Sequence, residues 1–171
     1  LGGVWPREDH IKAFERIEGY QRDFGHTLWI VERKSDAALL GFCGLKRVNS
    51  PAAGDLTGDF EVGWRLREDA WGQGFAKEAA IASLDLAFAC FGAPHVVALT
   101  VAGNADSQGL MKRLGMRRRA DLDFEDSRFG PELNPSIVYR IEAADWPAAR
   151  APALTQPSSG PSPSVAPVAG R

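Results

Sequence analysis

Apolar residues follow two rhythms along this chain, and the places where one gives way to the other mark its elements. In "PREDHIKAFERIEGYQRDFG", Ile11, Phe14, Ile17 and Tyr20 recur every third residue between Pro6 and Gly25. That spacing predicts an amphipathic helix whose charges form the solvated side. "TLWIVER" and "ALLGFCGLKRV" read as strands joined by the polar turn "KSDA", an antiparallel hairpin. After a loop rich in Gly, Pro, Asp and Asn, "DFEVGWRL" at 59–66 alternates polar and apolar positions and predicts a third strand. In "AKEAAIASLDLAFACFG", Ala80, Ile81, Leu84, Ala87, Phe88 and Phe91 form one stripe. Lys77, Glu78, Ser83 and Asp85 fall elsewhere, and Gly92 and Pro94 stop this helix. "HVVALTV" is a strand by its β-branched content, and "NADSQGLMKRLG" a short helix that Asn104 or Asp106 caps and Gly115 ends. Two last strands, around "RRADLDF" and "SIVYRIEA", flank a turn-rich stretch. The order α-β-β-β-α-β-α-β-β predicts a mixed α/β layer of the α+β type, with one right-handed β-α-β unit in the middle.

Composition refines this picture at the ends. With 171 residues, 44% hydrophobic and 25% charged, the chain has enough apolar surface for one compact domain, expected over 1–146. From 147 to 171 Pro, Ala, Ser and Gly dominate, and this segment is expected to be a disordered tail. The other end begins with Leu1 and runs straight into "GGVWPRED", which leads to the expectation of an N-terminally shortened domain. A net charge of −2 supplies no field for a nucleic-acid backbone or an anionic membrane. No apolar run is long enough to span a bilayer and no signal core is evident, so a cytoplasmic protein is expected. Cys43 and Cys90 each lie in apolar stretches and are expected to be reduced, buried small hydrophobes. His10, His26 and His95 show no metal-ligand spacing, so no metal site is expected.

The segment "WGQGFAKEA" at 71–79 raises a chemical question, because it puts glycines where a capping residue would serve stability better. A helix start presents backbone N–H groups without internal partners at the positive end of the peptide dipoles. Small residues at Gly72, Gly74 and Ala76 let a bulky anion approach those amides, and diphosphate is the usual ligand of such a loop. A flexible surface turn is the competing reading. The Walker pattern fails on spacing and on the absent hydroxyl beside Lys77. The dinucleotide fingerprint matches Gly72 and Gly74 but meets Lys77 in place of its third glycine, and stays open as an alternative.

A third design accounts for more of the chain. Glu61-Val62-Gly63-Trp64 is followed by Trp71 to Ala79 entering a helix, then by Asn104 and Ser107, then by Leu114-Gly115. This series resembles the coenzyme A-binding core of the GCN5-related N-acetyltransferase (GNAT) superfamily, particularly its RimJ/RimL-like protein N-terminal acetyltransferase branch. The resemblance covers roughly residues 1–146. It implies a mixed, mostly antiparallel sheet flanked by helices, here without the fold's first strand and helix. It also implies acetyl-CoA as co-substrate and a primary amine as acceptor, either a protein N-terminus such as that of a ribosomal protein or a small molecule. A monomer or homodimer would suffice.

Residue roles follow from the resemblance. Amides from Gly72 through Gln73, Gly74, Phe75 and Ala76 to Lys77 would hold the diphosphate, with Phe75 turned into the core. Backbone at Trp64, Arg65 and Leu66 would pair with the pantetheine arm, and Asn104 would bridge strand and helix or bind that arm. Lys77, Arg67 or Lys112 would meet phosphate oxygens. Glu61 stands where the family keeps a carboxylate base, with a solvent-facing strand glutamate as the competing reading. Ser107 matches the hydroxyl that returns a proton to the leaving sulfur. The tyrosine that does so in other relatives is here Met111, and Tyr139 is held in reserve. A coenzyme-binding sensor without turnover is the second class of function. Trp29, Trp64 and Trp71 are expected to pack in the core.

Overall fold

The computed structural model describes residues 6–155. Helix α1 spans Arg7–Phe24 and ends at Gly25, whose left-handed backbone turns its N–H back to the Gln21 carbonyl. None of its residues is fully buried. Tyr20 Oη donates to the Arg47 carbonyl and Ile17 O accepts from Thr27 Oγ1. The lower half of the predicted stripe is thereby fastened, while Ile11 and Phe14 stay 47% and 55% exposed.

Strands β1 (Leu28–Arg33) and β2 (Ala38–Arg47) form the expected hairpin across residues 34–37. Its register slips at Val31/Glu32, just before Gly41. Gly41 has φ 141°, and a Cβ there would lie 2.2 Å from the Arg65 carbonyl oxygen, so only glycine lets β3 (Phe60–Leu66) approach. β3 runs antiparallel to β2, setting Lys46 opposite Glu61. Helix α2 (Phe75–Ala89) then crosses over to β4 (His95–Thr100), which lies parallel to β3 and meets it only at Glu61 and Val97. After α3 (Ala105–Arg113), the two-residue strand β5 (Arg117–Arg118) and β6 (Ile137–Glu142) complete a mostly antiparallel sheet in the order β1-β2-β3-β4-β6-β5.

Strand alternation divides the core. Cys43, Leu45, Phe60, Val62, Val96 and Ala98 face α2, whose Ala80, Ile81, Leu84 and Ala87 fill the space above them. Ser83, read as off the stripe, is buried too. Its hydroxyl donates 2.8 Å back to the Ala79 carbonyl, which satisfies it inside the core. On the opposite face Val48, Ala53, Leu56, Val97 and Val138 form a smaller cluster under the loops.

Several expectations are overturned. Residues 147–155 are not a disordered tail: Trp146–Thr155 form helix α4, with Trp146 and Ala153 buried. One indole and a few alanines suffice because α4 docks on α2. Asp85 accepts from Trp146 Nε1 at 2.8 Å and from the Arg150 guanidinium at 2.7 Å, and those bonds hold Asp85 below the usual carboxylate range. Residues 156–171 and 1–5 lie outside the described residues. Cys90 is exposed, lying just past the end of α2 at its C-cap, whereas burial pushes the Cys43 thiol up to about 11. Trp71 is 57% exposed rather than core. Only Arg117–Arg118 of the "RRADLDF" region pair as strand, because Arg118 closes onto Asp123 and turns the chain away. Phe124 returns for a single bridge to Ser136.

Candidate active site

The site follows from the parting of β3 and β4. Their ladder is a single pair at Glu61, so beyond it β3 is bonded to β2 on one side and has no strand on the other. A cleft of about 330 Å³ opens there, lined by Glu61, Gly63, Trp64 and Arg65 from β3 and by Asn104 and Ser107 from the start of α3. The loop that carries Asn104 and Ser107 follows β4, so the same divergence that opens the sheet sets these two opposite the β3 backbone.

Glu61 is only 6% exposed, which rules out a solvent-facing strand carboxylate. Lys46, its cross-strand partner, brings Nζ to 2.7 Å from Oε2. The approach lies off the line of a good hydrogen bond, so among the described residues no donor is aligned on that buried oxygen. A buried carboxylate with a lone pair to offer is rare, because desolvation without compensation is costly. Lys46 escaped the sequence reading: the signal that finds it is the β2–β3 register, not a motif.

At α3, Asn104 caps the helix by accepting from the Ser107 N–H at 3.2 Å, and both residues line the cleft. Met111, one turn on, lines the same cleft and is buried. Tyr139 is brought elsewhere: it is buried in the core, its hydroxyl 3.4 Å from Gln108 Oε1, and it does not line the cleft.

The glycine loop forms a second part. Gly72 and Gly74 have φ 71° and 90°, in the left-handed region that disfavours any side chain by roughly 1–2 kcal/mol. Gly74 is the N-cap of α2 and makes no side-chain cap, so the first amides of Phe75, Ala76 and Lys77 point out of the helix. Phe75 and Ala76 pack against Leu40, Leu66 and Ala70, which turns Phe75 inward as expected and seats the loop beside the end of β3. The loop itself does not line the 330 Å³ cleft. Two details alter the expected roles. The Leu66 carbonyl already accepts 2.9 Å from Trp71 Nε1, so Trp71 buttresses the β3 end rather than the core. Arg67 is held by Asp69 at 2.6 Å and by the Leu39 carbonyl. Among the described residues no cluster of metal-ligating side chains occurs and no helix is long and apolar enough to cross a membrane.

Comparison with known proteins agrees with this fold. The family described as acetyltransferase (GNAT) domain matches residues 1–117. The uncharacterized protein YkkB of Bacillus subtilis (strain 168) is 32% identical over 96 residues, covering 56% of this chain and 54% of that protein. The chain therefore spans about half the length of this curated relative. Among solved structures, an acetyltransferase from Agrobacterium tumefaciens str. C58 superposes with a TM-score of 0.64 at 24% identity, over 82% of this chain and 75% of that one. Two others with the same fold are named for different acceptors. The spermidine N-acetyltransferase SpeG from Vibrio cholerae has a TM-score of 0.62 at 16% identity, over 85% and 84% of the two chains. The ribosomal-protein-S5-alanine acetyltransferase from Vibrio fischeri has a TM-score of 0.60 at 15% identity, over 81% and 73%.

Proposed function

The chain belongs to the acetyltransferase (GNAT) domain family, and from that premise we propose that it moves an acetyl group from acetyl-CoA to a primary amine by direct attack within a ternary complex. One observation carries the reading: the buried, incompletely bonded Glu61 shares a cleft with Asn104, Ser107 and the strand-free side of β3.

The residues present fit the coenzyme. The amides from Gly72 to Lys77 are the donors for its diphosphate, at a helix start whose N-cap, Gly74, carries no side chain. Alternation along β3 turns the Arg65 carbonyl toward β2 and leaves the backbone of Trp64 and the Leu66 N–H to extend the sheet toward the pantetheine arm, and Asn104 completes that wall. Acetyl-CoA supplies the thioester. An amine must be uncharged to attack it, and its reference pKa is near 8 for an α-amino group and near 10.4 for lysine. Glu61 therefore acts as the base, directly or through a water, a task worth about 10²–10⁴-fold. Ser107 holds the proton that the leaving sulfur takes. The acceptor is a protein N-terminus, as in the RimJ/RimL-like branch, or a small-molecule amine. A cytoplasmic setting and a monomeric or homodimeric state belong to the same proposal.

Acetyl-CoA at 100 times its dissociation constant should stabilise the protein by about 2.7 kcal/mol in a thermal-shift measurement, with no comparable effect of a nicotinamide or flavin nucleotide. The reverse order would replace this reading with a dinucleotide enzyme. Binding without thiol release across a panel of amines would leave a coenzyme sensor.

A further inference from the structure

The charges that line the cleft have a definite arrangement. Among the described residues its lining holds one carboxylate, Glu61, and two cationic side chains, Lys46 and Arg65. Glu61 and Lys46 face each other across the β2–β3 ladder with opposite charges 2.7 Å apart, and the rest of the wall is largely apolar, with Leu28, Phe42, Leu99 and Leu133. Lys46 is a third exposed, so its ammonium reaches the cleft while its stem stays on the sheet. A polyamine would carry further ammonium groups into a wall where the described residues offer no second carboxylate to receive them. A peptide N-terminus would offer Lys46 only a neutral amide carbonyl. The ion pair is instead the mirror of a zwitterion: an amine and a carboxylate two bonds apart present to it a cation for Glu61 and an anion for Lys46.

We propose that the acceptor is a free α-amino acid, or an amine with a carboxylate equally close, and that its side chain is apolar. This rests on the acetyl-transfer reading above. Lys46 takes the acceptor carboxylate through donors not directed at Glu61, and thereby brings the amino group to the Glu61 oxygen that lacks an aligned donor. In the reaction the amine nitrogen forms a bond to the acetyl carbon and the carbon–sulfur bond breaks. Of the two protons the ammonium sheds, one passes through Glu61 to solvent and the other ends on the coenzyme sulfur. The product keeps its carboxylate but no longer has the cation that Glu61 held, so the Lys46–Glu61 pair closes again and favours release.

The test compares L-leucine, L-leucinamide and spermidine as acceptors, following thiol release from acetyl-CoA. Leucine should exceed leucinamide in kcat/KM by about ten- to a hundredfold, as expected for a charge-assisted hydrogen bond, with spermidine the poorest. In Lys46→Met the leucine-to-leucinamide ratio should fall toward one, and Lys46→Arg should restore most of it. Using the ratio cancels any general loss from leaving Glu61 without its partner. A ratio near one in the parent protein, a preference for spermidine, or a ratio unmoved by Lys46→Met overturns the proposal. Titration of leucine and leucinamide into the coenzyme A-loaded protein by calorimetry separates this from failure of the enzyme reading. Carboxylate-dependent binding without turnover would keep the acceptor assignment and remove the transfer reaction; binding of neither would overturn the assignment.

Discussion

Two buried carboxylates, Glu61 and Asp126, show how differently one folded chain uses the same group. Asp126 is 3% exposed and fully engaged. It accepts from the Ser50 hydroxyl at 2.6 Å, from the Arg128 N–H at 3.0 Å and from the Arg128 guanidinium at 2.9 Å. Asn134 closes the same loop, accepting from the Asp126 N–H and donating to the carbonyls of Asp126 and Phe129. The Arg128 bonds, then the Ser50 bond, hold the Asp126 carboxyl well below the usual carboxylate range. Glu61 is as deeply placed, yet has one ion pair and an oxygen with no aligned donor. A carboxylate with every lone pair answered is a fastener, and this one pins the loop bearing Phe129 and Leu133 to the Ser50 turn. A carboxylate left incompletely bonded at the wall of a cleft is available to a ligand.

Substitution should separate these roles. The largest effect expected is on turnover: Glu61→Gln keeps the size of the side chain and removes the base, so kcat with the best amine should fall about 10²–10⁴-fold. Thermal-shift stabilisation by acetyl-CoA should persist, because the amides proposed for its diphosphate lie elsewhere, at the start of α2. A variant with unchanged kcat would leave Glu61 no more than a neighbour of Lys46. Next in size, Asp126→Asn should lower the melting temperature by several degrees, seen by circular dichroism, and leave the affinity for acetyl-CoA unaltered. If it instead abolished turnover at full stability, the division between the two carboxylates would collapse.

Acid should act on the same side of the comparison. A carboxylate whose folded pKa is depressed contributes stability that is present above its unfolded pKa, near 3.9, and is lost as pH falls through the lower folded value. Asp126 therefore favours the folded state at neutral pH, and its loop should loosen only below about pH 4. Unfolding midpoints measured from pH 6 to pH 2 should drop less steeply in Asp126→Asn than in the parent chain. The smallest change is expected at a third carboxylate. Asp85 is partly exposed where it joins α2 to α4, so solvent screens it; Asp85→Asn should cost little stability and no activity. An appreciable loss of kcat in that variant would show that α4 influences the cleft.

Much of the scaffold was legible in one dimension. The helix stripe of Ala80, Ile81, Leu84 and Ala87, the alternation in β3 and the hairpin around 34–37 are local patterns, and each formed as its period required. The places of Glu61, Asn104 and Ser107 on those elements were legible as well, and the fold brings the three to one cleft. What escaped was every feature made by two distant segments. Helix α4 looked like a tail since its own apolar content is low; what seats it lies on α2, where Trp146 and Ala153 become buried and Asp85, sixty-one residues before Trp146, accepts from its indole. Trp71 looked like a core residue because it sits where a strand meets the glycine loop, but it lies 57% exposed with its indole N–H on the Leu66 carbonyl.

The sequence by itself determined where backbone bends and where side chains repeat. Glycines at 72 and 74 and the period of α2 set a helix start whose N-cap has no side chain, since φ preference and burial of one face are properties of a few neighbouring residues. Only the tertiary structure decided what faces what. Lys46 meets Glu61 because hairpin register, a long-range choice among pairings, brings the two strands into step, and the cleft exists because β4 touches β3 at one residue and then leaves it. Charge complementarity acts over a few ångströms in space, and separation along the chain does not measure it.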